Sequence, residues 1–228
     1  MLYKKIGIFL LLTTLLVTAR EGFEYQNLLV HAKDINGNIQ TFNVKRHIHT
    51  KCKNIIITNK MLWTGNYASE KVPEECKSTY VHTTGKLLPM QLDEEVTTYG
   101  ELEVLAYIKD MQKNNKLMLI DARGEEWFNY RTIPASTNIP YRYFRDRKEY
   151  PFKYEEGLKK LGVTFNKDNS LEFKNAKTVT IFCNGAWCSQ SVWLVQALLE
   201  IDYPADKINW YRGGMQNWLA AGMTSTRD

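Results

Sequence analysis

The sequence predicts an α/β domain with a mostly parallel central sheet flanked by helices, preceded by a small β-rich N-terminal region. From about residue 98 onward, short apolar runs typical of buried strands alternate with segments of helical periodicity. Residues 20–90 carry strand-like patterns joined by irregular polar connections. The first 19 residues have the composition of a signal peptide and are not expected to form part of the fold.

The N-terminal segment predicts export of the protein. A short basic start, MLYKK, precedes the apolar stretch IGIFLLLTTLLV, which is shorter than the ~20 residues of a membrane span. Small residues follow in VTA, so we expect cleavage after Ala19 and a periplasmic or extracellular location. The protein would then contact a membrane only if this segment stayed uncleaved. Cleavage removes Lys4 and Lys5, two positive charges, from a chain with a formal charge of +5.

The composition excludes one class of function. The formal charge of +5 is mild for 228 residues, and the basic residues are scattered without a run of five or six. Nucleic acid is therefore not expected as a partner.

Residues 20–90 predict a β-rich module. The runs YQNLLVHAK and IQTFNVKRHI flank DINGN, in which Asn36-Gly37 is typical of a hairpin turn. NIIIT is a further strand candidate. All four histidines of the chain lie in this module: His31, His47, His49 and His82. No carboxylate or cysteine pattern accompanies them, so neither a metal nor another cofactor is expected.

The four cysteines fall into two pairs with different surroundings. Cys52 and Cys76 lie in a polar stretch without a catalytic pattern around them. Because export brings the chain into an oxidising compartment, we expect them to form a disulfide. Closing that loop would stabilise the module by roughly 3 kcal/mol in the chain-entropy estimate.

The α/β region begins with a predicted helix. TTYGELEVLAYIKDMQ carries Leu102, Leu105, Ile108 and Met111 at helical spacing. Thr98 followed by Glu101 fits a capping box at the start of this helix.

The following segments alternate between short strands and helices. KLMLID is a strand ending in an acid, GEEWFNY a short helix, and IPASTNIP a turn-rich connection into another short strand. EEGLKKLG predicts a helix ended by Gly162, and FNKDNSLEF predicts a small hairpin.

The last segments repeat the strand–helix alternation. TVTIF is a buried strand, and SVWLVQALLEI is a helix that carries Val192, Val195, Leu198 and Leu199 on one face. INWY is a strand, and GGMQNWLAAG is a final helix stopped by Gly222.

Cys183 stands where open α/β sheets bind ligands. It directly follows TVTIF, and ligands gather at the carboxyl ends of parallel strands. The loop Cys183 to Cys188 leads into a helix, and the free N–H groups of a loop and a helix start stabilise an anion. We therefore expect Cys183 to be a nucleophilic thiolate of lowered pKa, or the carrier of a persulfide. Cys188 is a resolving thiol, a structural disulfide partner or an inert residue.

The region 98–226 resembles the rhodanese-like domain family. LIDARGEEWFNYRTIPASTNIP matches the family's opening motif of a strand ending in Asp-x-Arg followed by Ile-Pro-x-x-x-Asn-Ile-Pro. VTIFCNGAWCSQSVWLVQALLEIDYPADKINWYRGGMQNWLAAG matches its second half, from the cysteine-headed loop to the closing Arg-Gly-Gly-x-x-x-Trp.

The resemblance implies a sulfurtransferase. By it, Cys183 accepts a sulfane sulfur from a donor such as thiosulfate or a polysulfide and passes it to a thiophilic acceptor. The loop whose N–H groups surround the sulfur consists of Asn184, Gly185, Ala186, Trp187 and Cys188, followed by Ser189. The motif positions with a supporting role are Asp121, Arg123, Arg212, Gly213 and Gly214.

The active-site loop departs from the family pattern. Many rhodanese loops carry basic residues that bind anionic donors, whereas CNGAWC has none. Arg142 and Arg145 are candidates to supply that charge from another segment. The missing charge motivates a second hypothesis, a non-catalytic binding or redox-sensing module. Such a module would engage a protein partner through its N-terminal region. A third hypothesis is thiol–disulfide exchange through Cys183 and Cys188, although their spacing exceeds the usual Cys-x-x-Cys.

Overall fold

The computed structural model describes residues 28–33, 38–44, 50–52, 72–76 and 87–226. The predicted signal peptide, the Asn36-Gly37 turn and the NIIIT segment lie outside the described residues, as do three of the four histidines. No helix in the described part of the chain has the length and apolar character needed to cross a membrane.

The described parts of the N-terminal region contain the two strands of the predicted hairpin. β1 (Leu28–Lys33) pairs antiparallel with β2 (Ile39–Val44). His31 lies on β1, with its Nδ1 2.9 Å from Oγ1 of Thr41 in the opposite strand. Among the residues described, no cluster of histidine, cysteine and carboxylate side chains could hold a metal ion.

A disulfide joins two short 3₁₀ turns of this region. The turns are Thr50–Cys52 and Glu74–Cys76, and Cys52 bonds to Cys76 with their Cα atoms 5.6 Å apart. Both cysteines are fully buried. The predicted disulfide is thus present.

Five parallel strands form the central sheet. They are β3 (Thr97–Tyr99), β4 (Leu117–Asp121), β5 (Thr137–Asn138), β8 (Thr178–Phe182) and β9 (Ile208–Tyr211). Their order is β3-β9-β8-β4-β5, and every pairing is parallel, which confirms the predicted fold class. β6 (Thr164–Phe165) and β7 (Leu171–Glu172) form the small antiparallel hairpin expected from FNKDNSLEF.

Helices cover both faces of the sheet. They are α1 (Glu101–Met111), α2 (Glu125–Tyr130), α3 (Arg142–Arg145), α4 (Pro151–Lys160), α5 (Gln190–Leu199) and α6 (Gly214–Ala220). Neighbouring residues of a strand face opposite sides, so Ile181 packs with α3, α4 and α5, while Phe182 packs with α1 and α6. The sheet is therefore covered on both sides, as a parallel sheet requires.

Helix α1 exists as predicted, but only part of its predicted apolar face is buried. Leu102 and Leu105 are 75% and 40% exposed, whereas Val104 and Tyr107 are buried. Tyr107 is amphipathic: its ring packs inside, and its hydroxyl donates to the carbonyl of Thr178 on β8 at 2.6 Å. Ile108 and Met111 pack against the core as predicted. The prediction is wrong for Leu102 and Leu105.

The predicted capping box of α1 is also wrong by two positions. The amide of Gly100 donates to Oε2 of Glu103 at 3.0 Å, while Thr98 belongs to β3 and donates its hydroxyl to the Met90 carbonyl. The sequence does not predict helix α3, because its four residues are too short to show a period. Helix α4 begins at Pro151, four residues before the predicted segment, since proline suits a first helical turn.

Candidate active site

The carboxyl ends of β4 and β8 bring the predicted site residues to one edge of the sheet. Asp121 ends β4 and is paired in register with Phe182, the last residue of β8. Cys183 follows immediately, and its loop leads into α5 at Gln190. The amide of Cys188 donates to the carbonyl of Gly185 at 2.9 Å, which closes the loop tightly.

The sulfur of Cys183 is buried among polar groups. The side chain is 2% exposed. Its thiol donates to the carbonyl oxygen of Cys188 at 3.0 Å, a contact that favours the neutral form, and its Sγ lies 3.1 Å from Oγ of Ser191. Ser191 in turn accepts a hydrogen bond of 3.0 Å from Nε1 of Trp210. Because an indole N–H can only donate, the hydroxyl proton of Ser191 remains available to the Cys183 sulfur.

The surroundings of Cys183 act on the pKa of its thiol in opposite directions. Burial by itself raises the pKa of this thiol, but hydrogen bonds from the Cys188 thiol and the Ser191 hydroxyl act against it. The backbone amides of Ser191 and Gly185 add to that effect, and the net result lowers the pKa of Cys183 to about 7. A lowered pKa favours the thiolate, which is the nucleophilic form of cysteine.

Cys188 behaves in the opposite way. It is free and 6% exposed, and burial together with the adjacent Cys183 raises its pKa above the usual range. The pKa shifts of the two thiols thus have opposite directions, and Cys183 is the one whose anionic form is favoured.

The start of α6 holds the loop from the other side. The amide of Met215 donates to the carbonyl of Cys183 at 3.0 Å, and that of Gln216 donates to Asn184 at 2.8 Å. This docking requires Gly214, whose φ is +55°. A Cβ at this position would stand 2.3 Å from the carbonyl oxygen of Cys183. Only glycine allows the two backbones to approach so closely.

Asp121 and Arg123 form a fully buried ion pair beside the loop. Nη2 of Arg123 lies 2.6 Å from Oδ2 of Asp121, and both side chains are 0% exposed. Nη1 of Arg123 donates to Oδ1 of Asn184 at 3.1 Å, and Nη2 also donates to the Arg131 carbonyl at 2.6 Å. Thr132 donates to the same Asp121 oxygen. The pair thus anchors Asn184 of the loop, and neither charge is available to a substrate.

Arg212 reaches the segment that enters the domain, not the thiols. Its guanidinium donates to the carbonyls of Leu88 and Pro89 at 2.8 to 3.2 Å. The amide of Leu88 donates to the carbonyl of Ala186 at 2.9 Å. Arg212 therefore supports the loop indirectly, through residues 88 and 89.

Trp187 occupies a loop position where the family pattern suggests a basic side chain. It is 6% exposed, and its Nε1 donates to Oε1 of Gln216 at 2.6 Å. Its indole folds against Gly185, where an added Cβ would lie 3.1 Å from Nε1. Trp187 thus packs the loop onto α6 and does not offer its N–H to a ligand.

The two remaining predicted site residues, Ser189 and Gly213, are the residues that precede helices α5 and α6. Ser189 precedes α5 at its N-cap without a side-chain capping bond. The backbone of Gly213 packs closely against the side chain of Asn217, because a Cβ added to Gly213 would be 2.9 Å from the Cβ of Asn217.

An open cleft of about 360 Å³ adjoins the loop. It is lined by Gly124, Glu125, Glu126, Trp127, Pro140, Arg142, Tyr143, Tyr150 and Gln190. Arg142, one of the two candidate sources of positive charge, therefore faces a cleft next to the site. Arg145 does not: its guanidinium stacks on Trp193 at 4.4 Å from the ring centroid.

Sequence reasoning missed Ser191, Trp210, Gln216 and Leu88. Ser191 could have been found, because it lies three residues beyond Cys188, in the first turn of the helix that follows the loop. Trp210 and Leu88 reach the loop only through tertiary contacts, for which the sequence carries no local signal.

The fold and the cysteine-headed loop define a rhodanese-like domain. The model of that family, described as the rhodanese-like domain, matches residues 104–221. This is more than half of the chain, and the chain belongs to the family. No curated protein sequence matches it significantly.

Solved structures of similar fold share little sequence with the chain. A protein from Bacillus halodurans is 16% identical over 57% of this chain and 76% of its own, with a TM-score of 0.41. A rhodanese-related protein from Thermoplasma volcanium is 17% identical over 58% of this chain and 99% of its own, with a TM-score of 0.37. A thiosulfate sulfurtransferase from Pseudomonas aeruginosa is 18% identical over 60% of this chain and 21% of its own, also with a TM-score of 0.37.

Proposed function

We propose that the protein is an exported sulfurtransferase that carries a sulfane sulfur as a persulfide on Cys183. The observation that supports this most is the position of Cys183 directly after β8, at the head of the loop that leads into α5, with its sulfur 3.1 Å from the Ser191 hydroxyl. The Ser191 hydroxyl and nearby backbone amides lower the pKa of the thiol. Such surroundings stabilise an attacking thiolate, and they would stabilise a persulfide anion in the same place. Membership of the rhodanese-like family supports the same reaction class.

The reaction has two displacement steps. The Cys183 thiolate attacks the outer sulfur of a donor, the donor's sulfur–sulfur bond breaks, and the donor leaves with the electron pair, as sulfite does from thiosulfate. An acceptor nucleophile such as cyanide or a thiol then attacks the outer sulfur of the persulfide, and Cys183 leaves as the thiolate. Because only 2% of Cys183 is exposed, neighbouring groups must move aside when a donor arrives.

Export is part of the proposal and is supported by two features. The predicted signal peptide ends at Ala19, and a disulfide joins Cys52 to Cys76. Disulfides persist in oxidising compartments such as the periplasm. The acceptor would be a small thiol or a protein thiol, and the N-terminal module is the proposed contact for a protein partner.

A mass measurement tests the proposal. The reduced protein, treated with thiosulfate or polysulfide, should gain one sulfur atom in intact-mass spectra. The gain should be lost in Cys183→Ser and kept in Cys188→Ser. Absence of any gain with every donor would contradict a transferase and favour a binding module.

A second candidate is a dithiol couple, favoured by the presence of two free, buried cysteines at the two ends of one loop. The Cys183 thiolate would attack a substrate disulfide and displace one thiolate, and Cys188 would then lose its proton and attack the mixed disulfide, which releases the second thiolate. The substrate disulfide is reduced to two thiols, and Cys183 and Cys188 are joined. In that case Cys188→Ser should abolish activity, whereas a sulfurtransferase should keep transferring sulfur.

A further inference from the structure

The cleft beside the loop has a mixed set of charges and aromatic walls. Its rim carries two carboxylates, Glu125 and Glu126, and one guanidinium, Arg142. Trp127, Tyr143 and Tyr150 supply aromatic surface. The hydroxyl of Tyr143 donates to Oε1 of Glu125 at 2.7 Å, which orients that carboxylate.

The cleft reaches the start of α5, next to a residue that contacts the Cys183 sulfur. Gln190 lines the cleft, and the residue that follows it, Ser191, has its Oγ 3.1 Å from Sγ of Cys183. The side-chain Oε1 of Gln190 is buried and has no hydrogen-bond partner within the described part of the chain. A buried acceptor without a partner is costly, so a ligand that donates a hydrogen bond would be favoured there.

The site is poorly suited to an inorganic dianion. The loop itself has no basic residue, and Arg123 and Arg212 donate to protein oxygens. Two carboxylates against one guanidinium leave the cleft with a net negative formal charge, which repels thiosulfate.

We infer, on the basis of the proposed function, that the sulfur donor is a small zwitterionic organic persulfide whose carrier binds in this cleft. The carboxylate of Glu125 would bind an ammonium group, and Arg142 a carboxylate. The Cys183 thiolate attacks the outer sulfur, the bond to the carrier sulfur breaks, and the carrier leaves as a thiolate. The persulfide then resides on Cys183.

Donor competition tests this inference. Initial rates of sulfur loading on Cys183 are measured by intact mass with three donors of different charge. Thiosulfate is the inorganic dianion, cysteine hydropersulfide has both an ammonium and a carboxylate, and mercaptopropionate hydropersulfide lacks the ammonium. We expect cysteine hydropersulfide to load Cys183 about tenfold faster than thiosulfate. Two ion pairs between the donor and the cleft would together provide a difference in binding of about this size.

Matched variants separate the two charge contacts. Glu125→Gln should slow loading by cysteine hydropersulfide about threefold and leave mercaptopropionate hydropersulfide unchanged, since only the first has an ammonium. Arg142→Gln should slow both organic donors. Glu155→Gln, an exposed carboxylate of α4 outside the cleft, should change neither.

The outcomes distinguish this inference from the proposed function. If thiosulfate loads Cys183 as fast as cysteine hydropersulfide, or if Glu125→Gln and Arg142→Gln leave the donor preference unchanged, the inference is wrong and the sulfurtransferase proposal stands. If no donor loads Cys183, both are wrong.

Discussion

Replacing Gly214 by alanine would place a methyl group against the loop that carries Cys183. The added Cβ would stand 2.3 Å from the Cys183 carbonyl oxygen, and the φ of +55° is unfavourable for any residue with a Cβ. The conformation alone costs about 1–2 kcal/mol. Relieving the clash separates α6 from the loop and weakens two backbone hydrogen bonds, at about 1 kcal/mol each. We therefore expect a loss of about 3–4 kcal/mol in the free energy of unfolding.

Gly222→Ala is the matched control for this substitution. Its φ is +71°, and no atom lies within 4 Å of an added Cβ, so it has only the conformational cost of about 1–2 kcal/mol. Urea unfolding followed by tryptophan fluorescence measures both variants. Equal destabilisation of the two variants would refute the close contact between α6 and the loop.

Two further predictions concern the charges around the loop. Ser191→Ala should raise the pKa of Cys183 above about 7, because a hydrogen bond to the thiolate is lost, while Ser189→Ala should not. The measurement is the pH dependence of the rate of Cys183 alkylation. Identical pH profiles for Ser191→Ala and the unchanged protein would contradict the prediction. Asp121→Asn leaves Arg123 buried without its counter-charge, so urea unfolding should show a loss of about 3–5 kcal/mol. A loss below about 1 kcal/mol would contradict the buried pair.

The lowered pKa of Cys183 also makes stability depend on pH. A thiol whose pKa is lower in the folded than in the unfolded state stabilises the fold fully above the unfolded value of about 8.5. That contribution is lost as the pH falls through the folded value of about 7. The difference in stability between Ser191→Ala and the unchanged protein should therefore widen as the pH rises through this range.

The central strands could be predicted because each is a short apolar run bounded by turn residues. TVTIF and KLMLID are buried on both faces of the sheet, so their sequences are apolar almost throughout. The place of Cys183 at the sheet edge followed from that assignment alone. Helix α1 shows the limit of such reasoning. Tyr107 has a polar hydroxyl and is not predicted to lie on the buried face, but its ring is buried in the core.

The supporting contacts of the loop depend on neighbours that are distant in sequence. Trp210 reaches Ser191 because β9 pairs with β8, which sets Trp210 beside Ile181. Leu88 reaches Ala186 from a segment far earlier in the chain. No local pattern in the sequence encodes such contacts. Gly214 could be identified from the family motif, because its positive φ restricts the position to glycine.

Release of sulfur from the isolated, loaded protein tests the central claim most directly. After removal of the donor, cyanide should convert the Cys183 persulfide to thiocyanate in one equivalent per chain and return the mass to that of the free thiol. Cys183→Ser should release none. Release from Cys183→Ser, or a loaded protein that gives no thiocyanate, would contradict a transferable sulfur on Cys183.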